Sequence, residues 1–220
     1  MDAVECIKGR MSIRAFKPDP VPRDLLREVV EIARWSPSYK NSQPWEVIIL
    51  SGEKKKALSK MMVGLLADGA ELTQDLPAPR SWPPAEDARI RHLYKTRADA
   101  TGIDLNDPEI VRESKKANFN FYFAPHAVYL LQESSLTPWS IFDMGLFAQS
   151  LMLAAHAKGL GTVPQAFATD YAAQIKSFLS IPETKRLILG ISIGYPDGES
   201  PANQLRTDRS GTEELVKWLE

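Results

Sequence analysis

Helical and strand patterns of apolar residues alternate along the chain. The first part predicts a helix over residues 2–8, a helix from Pro22 to Trp35, a strand over 45–50 and a helix from about Glu53 to Ala67. In the second helix, apolar residues three or four positions apart form one stripe. Pro22 suits the first turn of this helix, because a backbone N–H at that position has no hydrogen-bond partner within the helix. The strand is rich in β-branched residues, which favour an extended backbone.

The later part of the chain continues this alternation. It predicts a strand from Ala127 to Glu133, a long helix from Pro138 to Lys158, a short strand from Thr162 to Phe167, a helix from Thr169 to Leu179, a strand from Arg186 to Tyr195 and a last helix from about Thr212 to the end. The nearly all-apolar strand over 186–195 is typical of a sheet covered on both faces. The fold class is therefore α+β or α/β, with a central sheet of about four or five strands wrapped by helices.

Residues 69–123 depart from this regular alternation. The segment holds five prolines and many charged residues, with weak helical patterns near 86–99 and 108–121. Such a segment predicts an excursion over the protein surface. A mobile cover for a site and an ordinary solvated surface explain it equally well.

Composition and charge limit the classes of function. The chain has 220 residues, enough for one sizeable core or two small ones, and 27 basic residues oppose 28 acidic ones. This balance leaves no net field to hold a polyanion, so we expect neither a nucleic-acid partner nor a membrane surface. Cys6 is the single cysteine, which excludes an internal disulfide and favours a reducing, cytoplasmic location.

Several common catalytic motifs are absent from the sequence. It contains no GxGxxG motif after a strand, no GxxxxGK[ST] loop and no GxSxG elbow. Its three histidines, His92, His126 and His156, lack metal-ligand spacing, and we expect each to be structural. We therefore expect no metal, and hydrolase and metalloenzyme functions lose most of their support.

The segment Arg10-Met11-Ser12-Ile13-Arg14 concentrates two guanidinium groups and a hydroxyl. In an extended backbone Arg10, Ser12 and Arg14 point to one face, because side chains alternate with a period of two. Arginine offers a planar fork of donors that matches phosphate oxygens. The segment is thus a candidate phosphate site, although a solvated surface explains the same pattern.

Two further segments are candidates for binding. The loop from Pro37 to Trp45 carries short amide and hydroxyl side chains between prolines, which suits recognition of a heterocycle's edge. A polar connection between a helix and a strand is an equally good explanation. Arg206 and Arg209 form a third, basic segment, for which solvated surface is the default.

Taken together, these segments resemble the FMN-dependent nitroreductase family. The resemblance rests on RMSIRAF at 10–16, ARWSPSYKNSQPWEVIIL at 33–50, Ala124-Pro125-His126, FDMGLFAQSLMLAAHAKGLGTVPQAF at 142–167 and ISIGYP at 191–196. Five pieces in this order and spacing are specific, and the branch with nitrobenzoate reductases is the most similar. The resemblance implies one FMN-binding domain over 1–220, with an α+β fold, a central mixed sheet wrapped by helices, and an intertwined homodimer that binds two FMN molecules at its interface.

The resemblance also implies roles for individual residues. Arg10, Met11, Ser12, Arg206 and Arg209 would bind FMN, with Arg10, Ser12 and Arg209 on its phosphate, and Arg14 would lie near the pyrimidine end of the ring. Pro37, Ser38, Asn41 and Gln43 would reach the FMN of the other subunit, and Asn118 or Asn120 would meet the ring edge. Pro164, Gln165 and Ala166 would meet the ring near N5, although the family often has a glutamate and a glycine after the proline. No side chain would be catalytic, because the flavin carries the chemistry.

The implied activity is a ping-pong reduction of a small nitroaromatic, possibly nitrobenzoate-type, or quinone substrate, with NADH or NADPH as electron donor. A basic cluster over 89–97 favours an anionic substrate, or is simply a solvated helix face. A reductive dehalogenase, a heterocycle dehydrogenase and a flavin-binding protein with little turnover are the alternatives.

Overall fold

The computed structural model describes residues 2–102 and 107–220, which fold into helices around one sheet. Its α-helices are α1 (Ala3–Gly9), α2 (Arg23–Ala33), α3 (Gly52–Ala67), α4 (Pro84–Thr101), α5 (Pro108–Phe119), α6 (Pro138–Ala157), α7 (Ala172–Leu179) and α8 (Thr212–Leu215). Its strands are β1 (Glu46–Ser51), β2 (His126–Glu133), β3 (Gly161–Gln165) and β4 (Lys185–Gly194). No helix in these two ranges is long and apolar enough to cross a membrane.

The four strands pair in the order β1-β2-β4-β3, and each neighbouring pair is antiparallel. The N-terminal segment adds a parallel bridge between Ser12 and Thr162 on β3, and an antiparallel bridge between Phe16 and Pro196 beyond β4. The predicted α+β class is confirmed. The predicted mixed sheet is wrong, because all neighbouring strands of this sheet are antiparallel, and among the described residues the parallel pairing is the isolated bridge between Ser12 and Thr162.

The core lies on both faces of β2 and β4. Side chains of a strand alternate between faces, so Val128 and Leu130 pack with α2 and α6, whereas Ala127, Tyr129 and Leu131 pack with α3, α7 and the end of α5. The continuous apolar run from Ala127 to Leu131 in β2 is therefore explained by two cores rather than one.

The C-terminal helix is shorter than the sequence predicts. The predicted helix from Thr212 to the end is wrong, because α8 stops at Leu215 and Val216 is extended, with φ −116° and ψ 126°. Its apolar side chains find no packing surface in the chain: Leu215, Trp218 and Leu219 are all more than 70% exposed. A single helical turn that packs against nothing gains too little free energy for the helix to extend further, since most helical stability comes from tertiary contacts.

The excursion is mostly helical, as the weak patterns near 86–99 and 108–121 predict. These patterns correspond to α4 and α5. Helix α5 is anchored by the buried Asn118 and Phe119. The excursion therefore reaches the core at the end of α5.

Candidate functional site

The N-terminal segment after α1 runs along β3. The Ile13 N–H donates to the Thr162 carbonyl at 2.9 Å, and the Ile13 side chain is buried. A Cβ on Gly161 would lie 2.7 Å from Ile13 Cγ1, so only glycine allows this approach. With Ile13 turned inward, Arg10, Ser12 and Arg14 line one cavity on the outside, together with Met11.

Asn203 ties the C-terminal segment to the N-terminal one. Its Oδ1 accepts from the Arg14 N–H at 2.8 Å and from the Ala15 N–H at 3.3 Å. Its Nδ2 donates to the carbonyls of Ala15 and Asp197, both at 2.8 Å. This buried amide therefore fixes the position of Arg14, and no local sequence pattern identifies it.

Two arginines of the C-terminal segment reach the same cavity. Arg206 donates to the carbonyl of Gly9 at 3.1 Å and to that of Lys8, which places its charge at the C-terminal end of α1. Arg209 Nη1 donates to Thr207 Oγ1 at 2.8 Å. The predicted sites near the two ends of the chain are thus brought together.

The resulting cavity, of about 480 Å³, is strongly basic. Among the described residues its lining includes no carboxylate, and its basic members are Lys8, Arg10, Arg14, Arg97, Arg206 and Arg209. Burial and the charges of Arg209 and Arg206 lower the pKa of Arg10. Burial and the charge of Arg14 lower the pKa of Arg97. Such a concentration of repelling guanidinium groups is stabilised by a bound anion with several oxygens.

A second cavity, of about 270 Å³, shares Arg14 and Arg97 with the first. We call the two together the groove. The second cavity is lined by Pro164, Gln165 and Ala166 at the end of β3, and by residues of α4 and α5. The groove therefore has a basic end and an end formed by the edge of the sheet.

Backbone groups of β3 face the groove. The Thr162 carbonyl bonds to the N-terminal segment and so points away from β4. Because backbone direction alternates along a strand, Pro164 faces the same edge, and Ala166 follows directly after the strand. A proline is tolerated at that edge because its missing N–H is not needed for pairing. The Gln165 side chain instead points inward, where Nε2 donates to the Asn118 carbonyl at 2.8 Å and Oε1 accepts from Ser192 Oγ at 2.5 Å.

The structure separates the two candidate asparagines. Asn118 lines the groove, and its Nδ2 donates to the Ser114 carbonyl at 2.8 Å and to the Tyr122 hydroxyl at 3.0 Å. Asn120 lines a different cavity. The chain turns between them because Phe121, Tyr122 and Phe123 all have positive φ, at 54°, 49° and 58°. Three such residues in a row are strained, which is a feature of functional segments.

The loop over 37–43 lies apart from the groove of its own chain. Among the residues that the structure describes, Pro37, Ser38, Asn41 and Gln43 line neither cavity of the groove. The loop has fixed geometry, since buried Asp143 on α6 accepts from the Tyr39 N–H at 3.1 Å. Lys40, Asn41 and Gln43 have positive φ, which again indicates a strained and specific conformation.

Only one residue of the basic cluster over 89–97 lines the groove. Arg89, Arg91 and Lys95 each pair with a carboxylate of the same helix at 2.7 Å, and all three are exposed. Arg97 instead lines both parts of the groove. The spacing of Ile90, Leu93 and Arg97, on one helical face, is the sequence signal that separates it from its neighbours.

Comparison with known proteins places these features in a family. Residues 7–195 match the model of the Nitroreductase family. The chain belongs to the nitroreductase family. The family and fold predicted from the sequence motifs are therefore confirmed. In the described ranges, no group of three or more His, Cys, Asp or Glu residues could hold a metal ion.

The similar proteins cover almost the whole chain. Nitroreductase NfnB of Mycolicibacterium smegmatis is 34% identical over 223 residues, covering 98% of this chain and 92% of that protein. The 4-nitrobenzoate reductase of Pseudomonas putida is 34% identical over 226 residues, covering 99% and 95%. The crystal structure of the FMN-dependent nitroreductase NfnB from Mycobacterium smegmatis in complex with NADPH has a TM-score of 0.93 and 32% identity, covering 99% of this chain and 98% of that one.

Proposed function

We propose that the protein is an FMN-dependent NAD(P)H oxidoreductase of 220 residues that reduces nitroaromatic or quinone substrates, with nitrobenzoates in its range. The observation that carries this proposal is the groove, whose arginine-rich end and sheet-edge end are joined by Arg14 and Arg97. This arrangement fits FMN, which has a phosphate at one end and a flat heterocycle at the other. Two relatives that are 34% identical and are named a nitroreductase and a 4-nitrobenzoate reductase support the same activity.

The basic end of the groove suits the phosphate. Arg10 and Arg209 supply guanidinium groups and Ser12 a hydroxyl, while Met11 completes the wall. Arg206 is held by the carbonyls of Lys8 and Gly9, so it adds charge and fixes the segment that carries Arg209. We assign these residues to the phosphate and to the adjoining ribityl chain of FMN.

The other end of the groove suits the ring. When bound, FMN accepts hydride from the nicotinamide and passes reducing equivalents to the nitro or quinone substrate. Arg14 supplies a positive charge where negative charge develops on reduction. The segment of Pro164, Gln165 and Ala166 would lie beside the ring near N5, and Asn118 would lie at the ring edge.

We further propose that two chains form the functional unit. Apolar side chains at the start of α6 and at the C-terminus are exposed: Trp139 by 64%, Phe142 by 63% and Trp218 by 84%. Exposed apolar groups of this size are typical of interfaces. In such a homodimer, the loop over 37–43 would reach the groove of the partner chain through Pro37, Ser38, Asn41 and Gln43. This arrangement explains why the loop does not line the groove of its own chain.

We place the enzyme in the cytoplasm, in keeping with its one cysteine. Cys6 is free and buried. Its thiol lies 3.4 Å from the Leu153 carbonyl. Cell fractionation with a tagged chain tests this location.

A visible absorption spectrum of the purified protein tests the proposed activity. We expect flavin bands that bleach on anaerobic addition of NADH or NADPH and return with 4-nitrobenzoate, nitrobenzene or a quinone. A haloaromatic that reoxidises the protein, when these acceptors do not, would instead support a reductive dehalogenase. Bleaching that is slow with both nucleotides would indicate a flavin-binding protein with little turnover.

Two further measurements complete the test. Absence of flavin bands after incubation with FMN and desalting would overturn the cofactor assignment. Light scattering during size-exclusion chromatography gives the oligomeric state, for which we expect a mass of twice 24.6 kDa.

A further inference from the structure

A separate basic cavity, of about 690 Å³, lies outside the groove at the N-terminal end of α3. Its described lining residues are not shared with the groove, and they include three lysines, Lys55, Lys56 and Lys60, but no carboxylate. We call this space the lysine cavity. The lysine cavity lies beside the turn over 121–123, and Asn120 and Phe123 are among its lining residues.

Lys55 is a buried cation without an anionic partner. Its residue is only 8% exposed, and within the described residues its ammonium has no hydrogen bond or ion pair, but lies 5.8 Å from the ring centre of Phe121. Burial and the charge of Lys56 lower the pKa of Lys55. Lys56, in contrast, is paired with Glu53 at 2.8 Å. A buried ammonium is costly unless a negative group compensates it, so Lys55 indicates a missing partner.

Ser59 provides a second unmatched polar group. It lies one helical turn beyond Lys55, on the same face of α3, and also lines the cavity. The residue is 4% exposed, and its hydroxyl has no hydrogen-bond partner among the described residues. Buried polar atoms are nearly always satisfied, so this hydroxyl is an independent sign of a ligand.

The start of α3 adds unpaired donors. Ser51 occupies the N-cap position but makes no capping bond, because its hydroxyl lies 2.5 Å from His126 Nδ1. The Val21 N–H donates to His126 Nε2 at 2.9 Å, so the imidazole proton is on Nδ1 and is donated to Ser51. Burial and Lys55 lower the pKa of His126, which keeps the ring neutral. The first N–H groups of α3 therefore have no capping side chain as acceptor among the described residues. A negative charge placed near them would be stabilised by these donors and by the helix dipole.

Apart from Asn120, the rest of the lining is formed by apolar residues and Gly52. Phe123, which is 73% exposed, and Val63 line the same space with three prolines, Pro18, Pro20 and Pro125. This surface suits a hydrocarbon ring or chain better than a fully hydrated ion.

We propose that the lysine cavity binds a small carboxylic acid with an apolar body. Its carboxylate would pair with Lys55 and accept from Ser59, and its apolar part would lie against Phe123 and Val63. One buried ammonium matches one negative charge, which favours a carboxylate over inorganic phosphate. The proposal does not depend on the function of the groove.

Binding of 4-fluorobenzoate to the FMN-loaded protein, followed by fluorine NMR, tests the proposal. Binding in the groove changes the flavin absorption spectrum, so fluorobenzoate that binds without this change reports the lysine cavity. We expect Lys55→Met to weaken this binding at least about tenfold, because a charged hydrogen bond is lost. Lys56→Met, which removes the same charge from the next residue, should change it less than about twofold.

Further arms of the experiment separate the outcomes. Ser59→Ala should weaken binding several-fold, and it replaces Lys55→Met if that variant fails to fold. Neutral 4-fluorobenzamide and inorganic phosphate should each bind at least about tenfold more weakly than 4-fluorobenzoate. The proposal is overturned if Lys55→Met and Ser59→Ala both bind like the wild type, if the amide or phosphate binds as tightly, or if all bound fluorobenzoate perturbs the flavin spectrum.

Discussion

The groove and the lysine cavity are both basic, but they are built in different ways. Arginines of the groove come from the N-terminal segment, α4 and the C-terminal segment, and backbone carbonyls and Asn203 hold these segments together. The lysines of the lysine cavity come from α3 alone, and the buried one, Lys55, has no hydrogen bond or ion pair within residues 2–102 and 107–220. Several arginine forks around one space suit a multivalent anion, whereas one buried ammonium suits a single carboxylate. Charge alone therefore does not define a ligand; the number of donors and their burial do.

The largest effect that tests this contrast is expected from Arg10→Ala. We predict that the Kd for FMN rises at least about a hundredfold, since a charged hydrogen bond is worth about 1.5–3 kcal/mol and arginine makes two to a phosphate. Fluorescence titration of the apoprotein with FMN measures this change. Arg89→Ala is the control, because Arg89 is exposed and paired with Glu86 on α4. FMN affinity that is unchanged in Arg10→Ala would remove the phosphate from this end of the groove.

A smaller effect is expected from Gly161→Ala, which changes the backbone that supports the arginines. The new Cβ would lie 2.7 Å from Ile13 Cγ1, so the N-terminal segment must shift. We predict a loss of about 1–3 kcal/mol in the free energy of unfolding and several-fold weaker FMN binding, with 4-fluorobenzoate binding in the lysine cavity unchanged. Urea denaturation and FMN titration measure the two effects.

Gly64→Ala is the matched control for Gly161→Ala. Gly64 lies inside α3, and nothing lies within 4 Å of a Cβ built there. This variant should be slightly more stable than the wild type, because alanine favours a helix. Equal stability of both alanine variants would mean that the contact with Ile13 imposes no constraint.

The smallest effect concerns His126 beside the lysine cavity. Its pKa is lowered by burial and by Lys55, so below about pH 6.5 the unfolded chain takes up a proton that the folded chain does not. The stability that this neutral histidine contributes is complete above that pH and is lost as the pH falls. We predict that His126→Gln, whose amide oxygen still accepts from Val21, reduces the fall in Tm between pH 7 and pH 5. His92→Gln, which removes an exposed histidine outside the core, is the control variant in the same measurement.

The sequence predicted local structure well and long-range contacts poorly. Alternation along Arg10, Ser12 and Arg14 predicted that the three share a face, because this depends only on backbone geometry. Arg97 was hidden in a run of similar charges, since its difference from Arg89 lies in what packs against α4. Asn203 gave no local signal, because its partners are distant in the chain.

The lysine cavity escaped prediction for the same reason. Three consecutive lysines in the sequence Lys54-Lys55-Lys56 are typical of a solvated face. Burial of Lys55 is decided by the turn over 121–123, which is more than 60 positions away and carries the ring above it. The predicted boundary of α6 was accurate at Pro138, where a proline marks the first turn. The predicted extent of α8 was wrong, because only apolar spacing indicated that helix.

The bonds of Asn203 have a consequence for the order in which the protein is made. They join positions 189 residues apart, so the basic end of the groove is not complete until residue 203 and the arginines that follow it have left the ribosome. All four strands of the sheet end by Gly194 and can pair before that moment. A nascent chain halted before residue 203 would therefore carry the paired sheet with Arg10 and Ser12, but would lack Asn203, Arg206 and Arg209 at the proposed phosphate site.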